Sequence, residues 1–286
     1  MLNPVTTNAA SSVAANAASN AASNAAHTAA SLRIERAAAA NAARPGSRPR
    51  AELNESQSAS ADIAATLALI SERLSPQRRL VHAGAELYQA GARFGNLYIL
   101  NSGFFKIVTL SPDGREQVVG LKFRGDWLGF DGIAGSTYSC NAVAMDTGEV
   151  WAIGYEALLA ACASERRLMN ALHEAMSREI GRDRDSLLSM CTLPADARVA
   201  EFLRHWADSL AGRGLRSDQI ALRMTRAEIG NYLGMTLETV SRALSRLARD
   251  KLIAFASKGR RDLHIPDVQA LSAFVQRCLA PAPTLQ

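Results

Sequence analysis

The sequence predicts an α+β protein with three consecutive parts: a small antiparallel β-roll (jelly roll), one long helix, and a C-terminal group of short helices that ends in a hairpin. Three observations support this fold class. Short β-like segments alternate with glycine-centred turns over residues 80–155. An apolar stripe at helical spacing covers residues 166–190, and two short helical segments with capping signals begin near Met224.

Composition and charge narrow the class of protein. The chain has 286 residues, of which 48% are hydrophobic and 21% are charged, as in ordinary globular proteins. No apolar run is long enough for a transmembrane helix, so we expect no membrane contact and a cytoplasmic location. Residues 193–286 contain 14 Lys or Arg and 9 Asp or Glu, so this segment alone accounts for the net charge of +5. A polyanionic partner is compatible with that charge.

Residues 1–58 are expected to form a disordered, low-complexity arm. Ala, Asn and Ser repeat over residues 1–45 without an apolar stripe, and Pro45, Gly46 and Pro49 then interrupt any helix. An arm that binds a partner and a start codon placed too far upstream are both compatible with this composition.

Residues 59–164 are predicted to form the β-roll domain. Four segments have the character of strands, at residues 97–100, 104–110, 116–121 and 149–153. Turns that contain Gly103, Gly114 and Gly125 separate them. Many short strands at regular spacing favour a small antiparallel roll.

The helix of residues 165–192 is predicted to hold two subunits together as a homodimer. Over residues 166–190 it would be about 37 Å long. Its apolar residues recur in steps of 3, 4, 4, 7 and 3, which favours a coiled-coil seam over packing on its own domain alone. Asp183 interrupts the stripe, and two copies of it would repel each other. The predicted dimerisation residues are Met169, Leu172, Met176, Ile180, Asp183, Leu187 and Met190.

Residues 193–280 are predicted to form a winged helix-turn-helix. Thr225 and Glu228 form a capping box that starts one short helix, Gly234 provides the break, and Thr236 caps a second helix. Residues 252–256 and 263–265 then indicate a hairpin, the wing. The inward positions of the second helix are Val240, Ala243, Leu244 and Leu247.

The exposed face of the second helix predicts double-stranded DNA as a partner. Glu238, Ser241 and Arg242 lie three and four residues apart, so they share one face near the N-terminus, which in this motif reads base edges. An Arg fork matches O6 and N7 of guanine, and a Glu carboxylate accepts from N4 of cytosine. A surface salt bridge between Glu238 and Arg242 is the alternative interpretation. The residues expected to contact phosphates are Thr225, Arg226, Thr236, Thr239, Lys258, Arg260 and Arg261.

Residues 80–275 resemble the Crp/Fnr regulators of bacterial transcription. The most specific matches are Thr225-Arg-Ala-Glu-Ile-Gly-Asn-Tyr-Leu-Gly234 and Glu238-Thr-Val-Ser-Arg242, and the spacing of the latter is similar to that of the Fnr branch. Gly125-Asp-Trp-Leu-Gly-Phe-Asp-Gly132 also resembles that branch. The resemblance implies a cyclic-nucleotide-binding-like β-roll, a dimerisation helix and a winged helix. It further implies a TTGAT half-site, a role as an activator, and RNA polymerase as a partner.

Departures from the family pattern concern the effector. Cyclic AMP binders of this family have a Glu and an Arg-Ser pair where this sequence has Phe130, Tyr138 and Ser139, so a nucleotide phosphate would be buried without a cation. A [4Fe–4S] cluster is not expected, because no cysteine precedes Cys140 and Trp151 stands where the roll ligand would be. The resemblance therefore leaves the signal open. A roll that binds haem or a small metabolite is the alternative within the family.

The sequence contains no pattern of a catalytic or metal site. No nucleophile–base pair or metal-ligand spacing is recognisable, and the four cysteines are not paired at a short spacing. The histidines are scattered, so their spacing does not argue for haem ligation. An enzyme or regulatory subunit with an accessory DNA-binding-like domain is the rival class, and the missing catalytic pattern argues against it.

Overall fold

The computed structural model describes residues 50–111, 113–256 and 261–279, with side chains from residue 59 onward. It contains an N-terminal helix, a β-roll, a long helix and a C-terminal helix-turn-helix domain with a small sheet. The predicted α+β fold class is therefore confirmed.

The first described element is a helix, α1 (Arg50–Leu74), of 25 residues. The predicted arm of residues 1–58 is thus wrong for residues 50–58, while residues 1–49 lie outside the described range. No Pro or Gly interrupts this stretch, and the apolar side chains of Leu67 and Ile70 are buried against the roll beside Leu97 and Trp127. Burial of that apolar stripe is the main stabilising contribution to such a helix.

The roll consists of two four-stranded antiparallel sheets, in the orders β1-β8-β3-β6 and β2-β7-β4-β5. Apolar side chains of both sheets, among them Leu100, Phe105 and Val150, fill the space between them. The four predicted strands correspond to β3, β4, β5 and β8, each within one residue at either end. The strands are β1 (Gln77–Val81), β2 (Glu86–Tyr88), β3 (Asn96–Leu100), β4 (Phe105–Leu110), β5 (Glu116–Lys122), β6 (Trp127–Leu128), β7 (Asn141–Ala144) and β8 (Gly148–Gly154).

Two helices follow the roll, α2 (Tyr155–Ser164) and α3 (Arg166–Thr192). The Glu165 side chain caps α3 by accepting from the backbone N–H of Arg167, and the helix ends two residues before Pro194, as predicted. Its first half packs on the roll. Leu172 is only 5% exposed within its own chain, so the prediction of Leu172 as a seam residue is wrong.

The remaining predicted seam residues divide along the length of α3. Met169 and Met176 are partly buried against the core of their own protomer. In contrast, Ile180, Leu187 and Met190 are 49%, 60% and 42% exposed. From about Ile180 onward, the apolar stripe of α3 is therefore no longer covered by the core of its own protomer.

The C-terminal domain combines four helices with a three-stranded sheet of order β10-β11-β9. Its core surrounds Trp206 of the first of these helices and Leu244 and Leu247 of the third. The expected wing hairpin is β10 and β11, and the short strand β9 that pairs with it was not predicted. The elements are α4 (Ala195–Ala211), β9 (Gln219–Ala221), α5 (Arg226–Leu233), α6 (Leu237–Arg249), β10 (Ala254–Phe255), β11 (Asp262–His264) and α7 (Val268–Leu279).

None of the helices in the described part of the chain combines the length and the apolar character that crossing a bilayer requires.

Candidate nucleic-acid interface

The two helices of the helix-turn-helix are α5 and α6, and local signals set their boundaries. Thr225 Oγ1 accepts from the backbone N–H of Glu228, and the Glu228 carboxylate accepts from the N–H of Thr225 at 2.7 Å, which completes the capping box. Gly234 ends α5 in the left-handed region, at φ of +63°. A Cβ on Gly230 would lie 2.5 Å from the carbonyl oxygen of Met235, so the close crossing requires glycine there.

Helix α6 is anchored by its apolar side and presents a polar side outward. Thr236 caps it by accepting from the backbone N–H of Thr239, and the four predicted inward positions are all buried. Glu238 and Arg242 are exposed and Ser241 is half-buried. The three predicted base-reading side chains therefore lie together on the first two turns of one accessible face.

Glu238 is held in its ionised form. Its own backbone N–H and then the Thr236 hydroxyl hold the pKa of this exposed carboxyl below its ordinary value, and Arg242 adds to the effect. At neutral pH the side chain can only accept hydrogen bonds, which is what a cytosine amino group requires.

Three of the residues that are expected to contact DNA phosphates already make contacts within the helix-turn-helix itself. The Arg226 guanidinium donates to Ser241 Oγ at 3.2 Å and lies over the Phe255 ring at 5.8 Å, so it joins α5, α6 and the wing. The Thr225 hydroxyl donates to Glu228 at 2.8 Å, and Thr236 Oγ1 serves as the cap of α6. Their side chains position the motif, and phosphate contact by them stays a prediction.

Sequence reasoning missed the basic continuation of the face of α6. Ser241, Arg242, Ser245, Arg246 and Arg249 line a groove of about 330 Å³ along this helix. Arg246 is bound to Asp196 of α4, with Nε 2.6 Å from Oδ2, whereas Arg249 is exposed. Extending the helical spacing four and seven residues beyond Arg242 would have identified both arginines.

The tip of the wing lies outside the described residues, and with it the predicted phosphate contacts of Lys258 and Arg260. Arg261 is described and exposed, and its backbone carbonyl accepts from the N–H of Leu222 at 2.8 Å. That bond joins the base of the wing to the end of β9, so the wing belongs to a three-stranded sheet.

The first helix of the motif is docked on the roll. Asn231 of α5 accepts from the backbone N–H of Val118 at 2.6 Å and donates to the carbonyl of Glu116 at 2.7 Å, both in β5. Lys106 of β4 forms an ion pair with Glu228, the residue that closes the capping box. The roll therefore contacts the C-terminal domain through the helix that supports α6.

A second connection converges on Asp126, in the turn before β6. Its Oδ1 lies 2.9 Å from Arg182 of α3 and 2.9 Å from Arg213, just after α4, while Oδ2 accepts from the N–H of Phe123. Burial disfavours the ionised form, but Arg213 and Arg182 outweigh it and hold the pKa of Asp126 below its ordinary value. One carboxylate thus joins the roll, the long helix and the C-terminal domain.

No group of three or more potential metal ligands occurs within the described ranges. Cys140 and Cys162 are buried free thiols, and burial raises the pKa of Cys140 to about 12. Trp151 is buried in β8, where its indole N–H donates to Glu149. These residues serve the packing of the roll.

Comparisons with known proteins agree with this geometry. Residues 78–165 match the model of the cyclic nucleotide-binding domain, and residues 197–274 match that of the Crp-like helix-turn-helix domain. The fumarate and nitrate reduction regulatory protein of Vibrio cholerae is 34% identical over 187 residues, which are 65% of this chain and 75% of that protein. The chain belongs to the Crp/Fnr family of transcription regulators. It is accordingly a DNA-binding regulator and not an enzyme.

Two further proteins are similar to this chain over a comparable length. Electron transport regulator A of Shewanella oneidensis is 33% identical over 189 residues, which are 66% of this chain and 74% of that protein. The structure of FixK2 from Bradyrhizobium japonicum is 27% identical with a TM-score of 0.63, and the match covers 72% of this chain and 98% of that one.

Proposed function

We propose that this Crp/Fnr regulator binds, as a homodimer, a two-fold symmetric site that resembles TTGAT-N4-ATCAA. The observation that carries the proposal is the joint exposure of Glu238, Ser241 and Arg242 at the start of α6. Arg242 provides two parallel donors for guanine, and ionised Glu238 accepts from cytosine. The single guanine of each TTGAT half-site pairs with a cytosine on the complementary strand, so one base pair offers a partner to each of these two side chains.

The exposed second half of α3 supports the homodimer. Leu187 and the neighbouring Leu188 are 60% and 61% exposed, and they lie far along a helix whose first half is buried in its own protomer. Apolar side chains exposed in this way are commonly covered by a second helix. A two-fold dimer would present two copies of α6 to a palindromic site.

The family resemblance supports the further proposal that the protein activates transcription through RNA polymerase. The cytoplasm, where bacterial DNA is accessible, is the proposed location. Both statements depend on the resemblance and on no contact within the chain.

The effector is proposed to be a small molecule other than cyclic AMP. Phe130 lines a cavity beside the roll, and the only cation of the described cavity lining, Lys122, is already paired with Glu179. A phosphate would therefore find no free cation. No histidine is among the described residues that line this cavity, so it offers no imidazole ligand for haem iron.

Selection of bound duplexes from a random DNA library tests the proposal. We expect two copies of TTGAT in inverted orientation, with a fixed spacing between them. Arg277→Gln serves as a control, because it removes one positive charge on α7, outside the proposed interface. This variant should select the same site as the parent. An asymmetric site, or a palindrome unrelated to TTGAT, would contradict the proposed recognition.

A further inference from the structure

An ion pair with two parallel hydrogen bonds joins the first turn of α4 to the third turn of α6. Nε of Arg246 lies 2.6 Å from Oδ2 of Asp196, and Nη2 of the same guanidinium donates to Oδ1. Paired bonds of this kind are the stronger and more directional form of contact between arginine and a carboxylate. They raise the pKa of Arg246 above its ordinary value. The carboxylate therefore holds the arginine in one orientation.

Arg246 lies on the side of α6 that is proposed to face DNA. It follows Arg242 by four residues and precedes Arg249 by three, so the three arginines form one line along the helix. All three line the groove along α6 described above. The base-reading side chains of a recognition helix lie near its N-terminus, and contacts to phosphates position the helix on the duplex. The third turn of α6 is therefore placed for the DNA backbone.

Asp196 neutralises an arginine in this line. Its side chain is 29% exposed and that of Arg246 is 42% exposed, so the pair lies at the surface beside the groove. Asp196 belongs to the first turn of α4, where the positive end of the helix stabilises a carboxylate. Arg242 and Arg249 form no ion pair with any residue that the structure describes. Of the three arginines, only Arg246 carries an anion bound to it.

The carboxylate opposes a phosphate in two ways. A phosphate that approaches Arg246 competes with Asp196 for the same N–H groups, and the negative charge of Asp196 repels it. An arginine that neutralises a phosphate releases condensed counterions, which adds affinity for every DNA sequence and increases the salt dependence of binding. An arginine that is already neutralised contributes less of both.

We propose that Asp196 limits the sequence-independent affinity of this protein for DNA by restraining Arg246. The inference rests on the proposed function, because it takes α6 as the helix that contacts DNA. Asp196 is a positioning residue in this proposal, since it acts on the phosphate backbone through Arg246. The readers proposed for the guanine–cytosine pair, Glu238 and Arg242, keep their roles.

Asp196→Asn tests the proposal in the full chain. The affinities for a TTGAT palindrome and for a random duplex are measured by fluorescence anisotropy at several salt concentrations. We expect both affinities to rise about tenfold, and the slope of log K against log salt to steepen by about 1 per subunit. Weaker binding would mean that the carboxylate presents Arg246 to DNA, and a gain confined to the palindrome would place Arg246 on a base. Either result would overturn the proposal.

A second substitution shows whether the gain passes through the arginine. Adding Arg246→Gln to Asp196→Asn should return both affinities and the salt slope to the values of the parent, because the released phosphate contact is removed. If the double variant keeps the tenfold gain, Arg246 is not the residue that Asp196 restrains, and the proposal is wrong.

Asp208→Asn is the matched control on the same helix. Asp208 is also paired with an arginine, at 2.6 Å from Arg204, and its replacement removes the same charge. It lies about 18 Å from Asp196 along α4, well beyond the distance of about 8 Å over which physiological salt screens exposed charges. Its DNA affinity should equal that of the parent. A gain as large as that of Asp196→Asn would reveal a general effect of net charge and overturn the proposal.

Asp196→Ser guards against an effect of the new side chain. Serine removes the charge and, like asparagine, is well suited to the start of a helix. Thermal unfolding should change little in either variant, because the pair lies at the surface. Both variants should show the same gain in affinity. A gain in only one of them would tie the effect to the substituted residue and contradict restraint by the carboxylate.

The random duplex separates this proposal from the proposed DNA site. If selection returns a palindrome unrelated to TTGAT, the proposed site is wrong, while a gain of Asp196→Asn on random DNA still supports the restraint. If selection returns TTGAT and Asp196→Asn leaves the affinity for random DNA unchanged, the proposed site stands and the restraint is wrong.

Discussion

The ammonium Nζ of Lys106 lies 2.5 Å from Oε1 of Glu228, across the boundary between the roll and the DNA-binding domain. The lysine side chain is 16% exposed and the carboxylate 33%. The other oxygen of Glu228 closes the capping box at Thr225. A side chain of the roll therefore touches the first turn of the helix that supports α6.

Replacing Lys106 by Gln should loosen this docking. The ion pair is partly buried, so its loss should lower the free energy of unfolding by about 1 kcal/mol. Hydrogen exchange of the backbone amides at residues 116–118 and 226–230 should become faster. Lys106→Arg keeps the charge and should retain most of the protection. Unchanged exchange in Lys106→Gln would mean that the Asn231 contacts hold the docked helix alone.

Arg242→Ala should cost about 1–3 kcal/mol in affinity for the TTGAT palindrome and relax the preference at guanine. Competition binding with each base substituted at that position measures both effects. Arg249→Ala is the companion variant, because Arg249 lies on the same face beyond the predicted base contacts. This variant should lower the affinity for all DNA sequences equally. If Arg249→Ala instead relaxes the preference at guanine, Arg249 is the base-reading residue and Arg242 is not.

The wing should act on phosphates through Lys258, Arg260 and Arg261. Neutralising each one should lower affinity for every sequence and reduce the slope of log K against log salt by about 1. Titrations at several salt concentrations provide the slope, and specific and random duplexes are compared in parallel. Altered base preference with an unchanged slope would argue against this role.

The exposed half of α3 should control dimerisation. Leu187→Glu and Ile180→Glu should weaken the dimer, because each places a charge on the exposed apolar stripe. Asp183→Ala should strengthen it by removing a repelling carboxylate. Dilution of fluorescently labelled protein yields the dissociation constant. Leu80→Glu is the control, since Leu80 is 65% exposed in β1. If Leu187→Glu leaves the dissociation constant of the dimer unchanged, the exposed face of α3 is not the dimer contact.

Stability toward acid should depend on Asp126. Because its pKa is lower in the folded protein than the ordinary 3.8, its ionised form contributes stability that is fully present above about pH 4. That contribution is lost as the pH falls through the lower folded pKa. Asp126→Asn should therefore destabilise by about 3–5 kcal/mol at pH 7, and by progressively less below pH 4. Urea unfolding at a series of pH values checks this, and a pH-independent difference would contradict it.

The helix-turn-helix could be predicted from the sequence because its signals are local. The capping box spans Thr225 to Glu228, and Gly230 and Gly234 meet steric requirements set by residues within a few positions. Such signals can be recognised in the sequence without knowledge of the rest of the fold.

Contacts between distant segments could not be predicted in this way. Lys106 and Glu228 are 122 positions apart, and nothing in either neighbourhood indicates the other. Similarly, the apolar stripe of α3 has a nearly constant spacing, so it does not show that Leu172 is buried in its own protomer while Leu187 is exposed. Strand β1 escaped prediction because four of its five residues are exposed.

Helix α3 lines the cavity beside the roll through Asp183 and approaches the DNA-binding domain one turn later, where Ser186 Oγ lies 3.5 Å from the Tyr232 hydroxyl. A tilt of α3 about its contact with the roll would move its far end as a lever moves. Ser186 lies about 10 Å beyond Glu179 along the axis, so a tilt of about 5° would displace it by about 1 Å. The Ser186 and Tyr232 hydroxyls are already 3.5 Å apart, so a shift of that size away from Tyr232 would break the contact instead of stretching it.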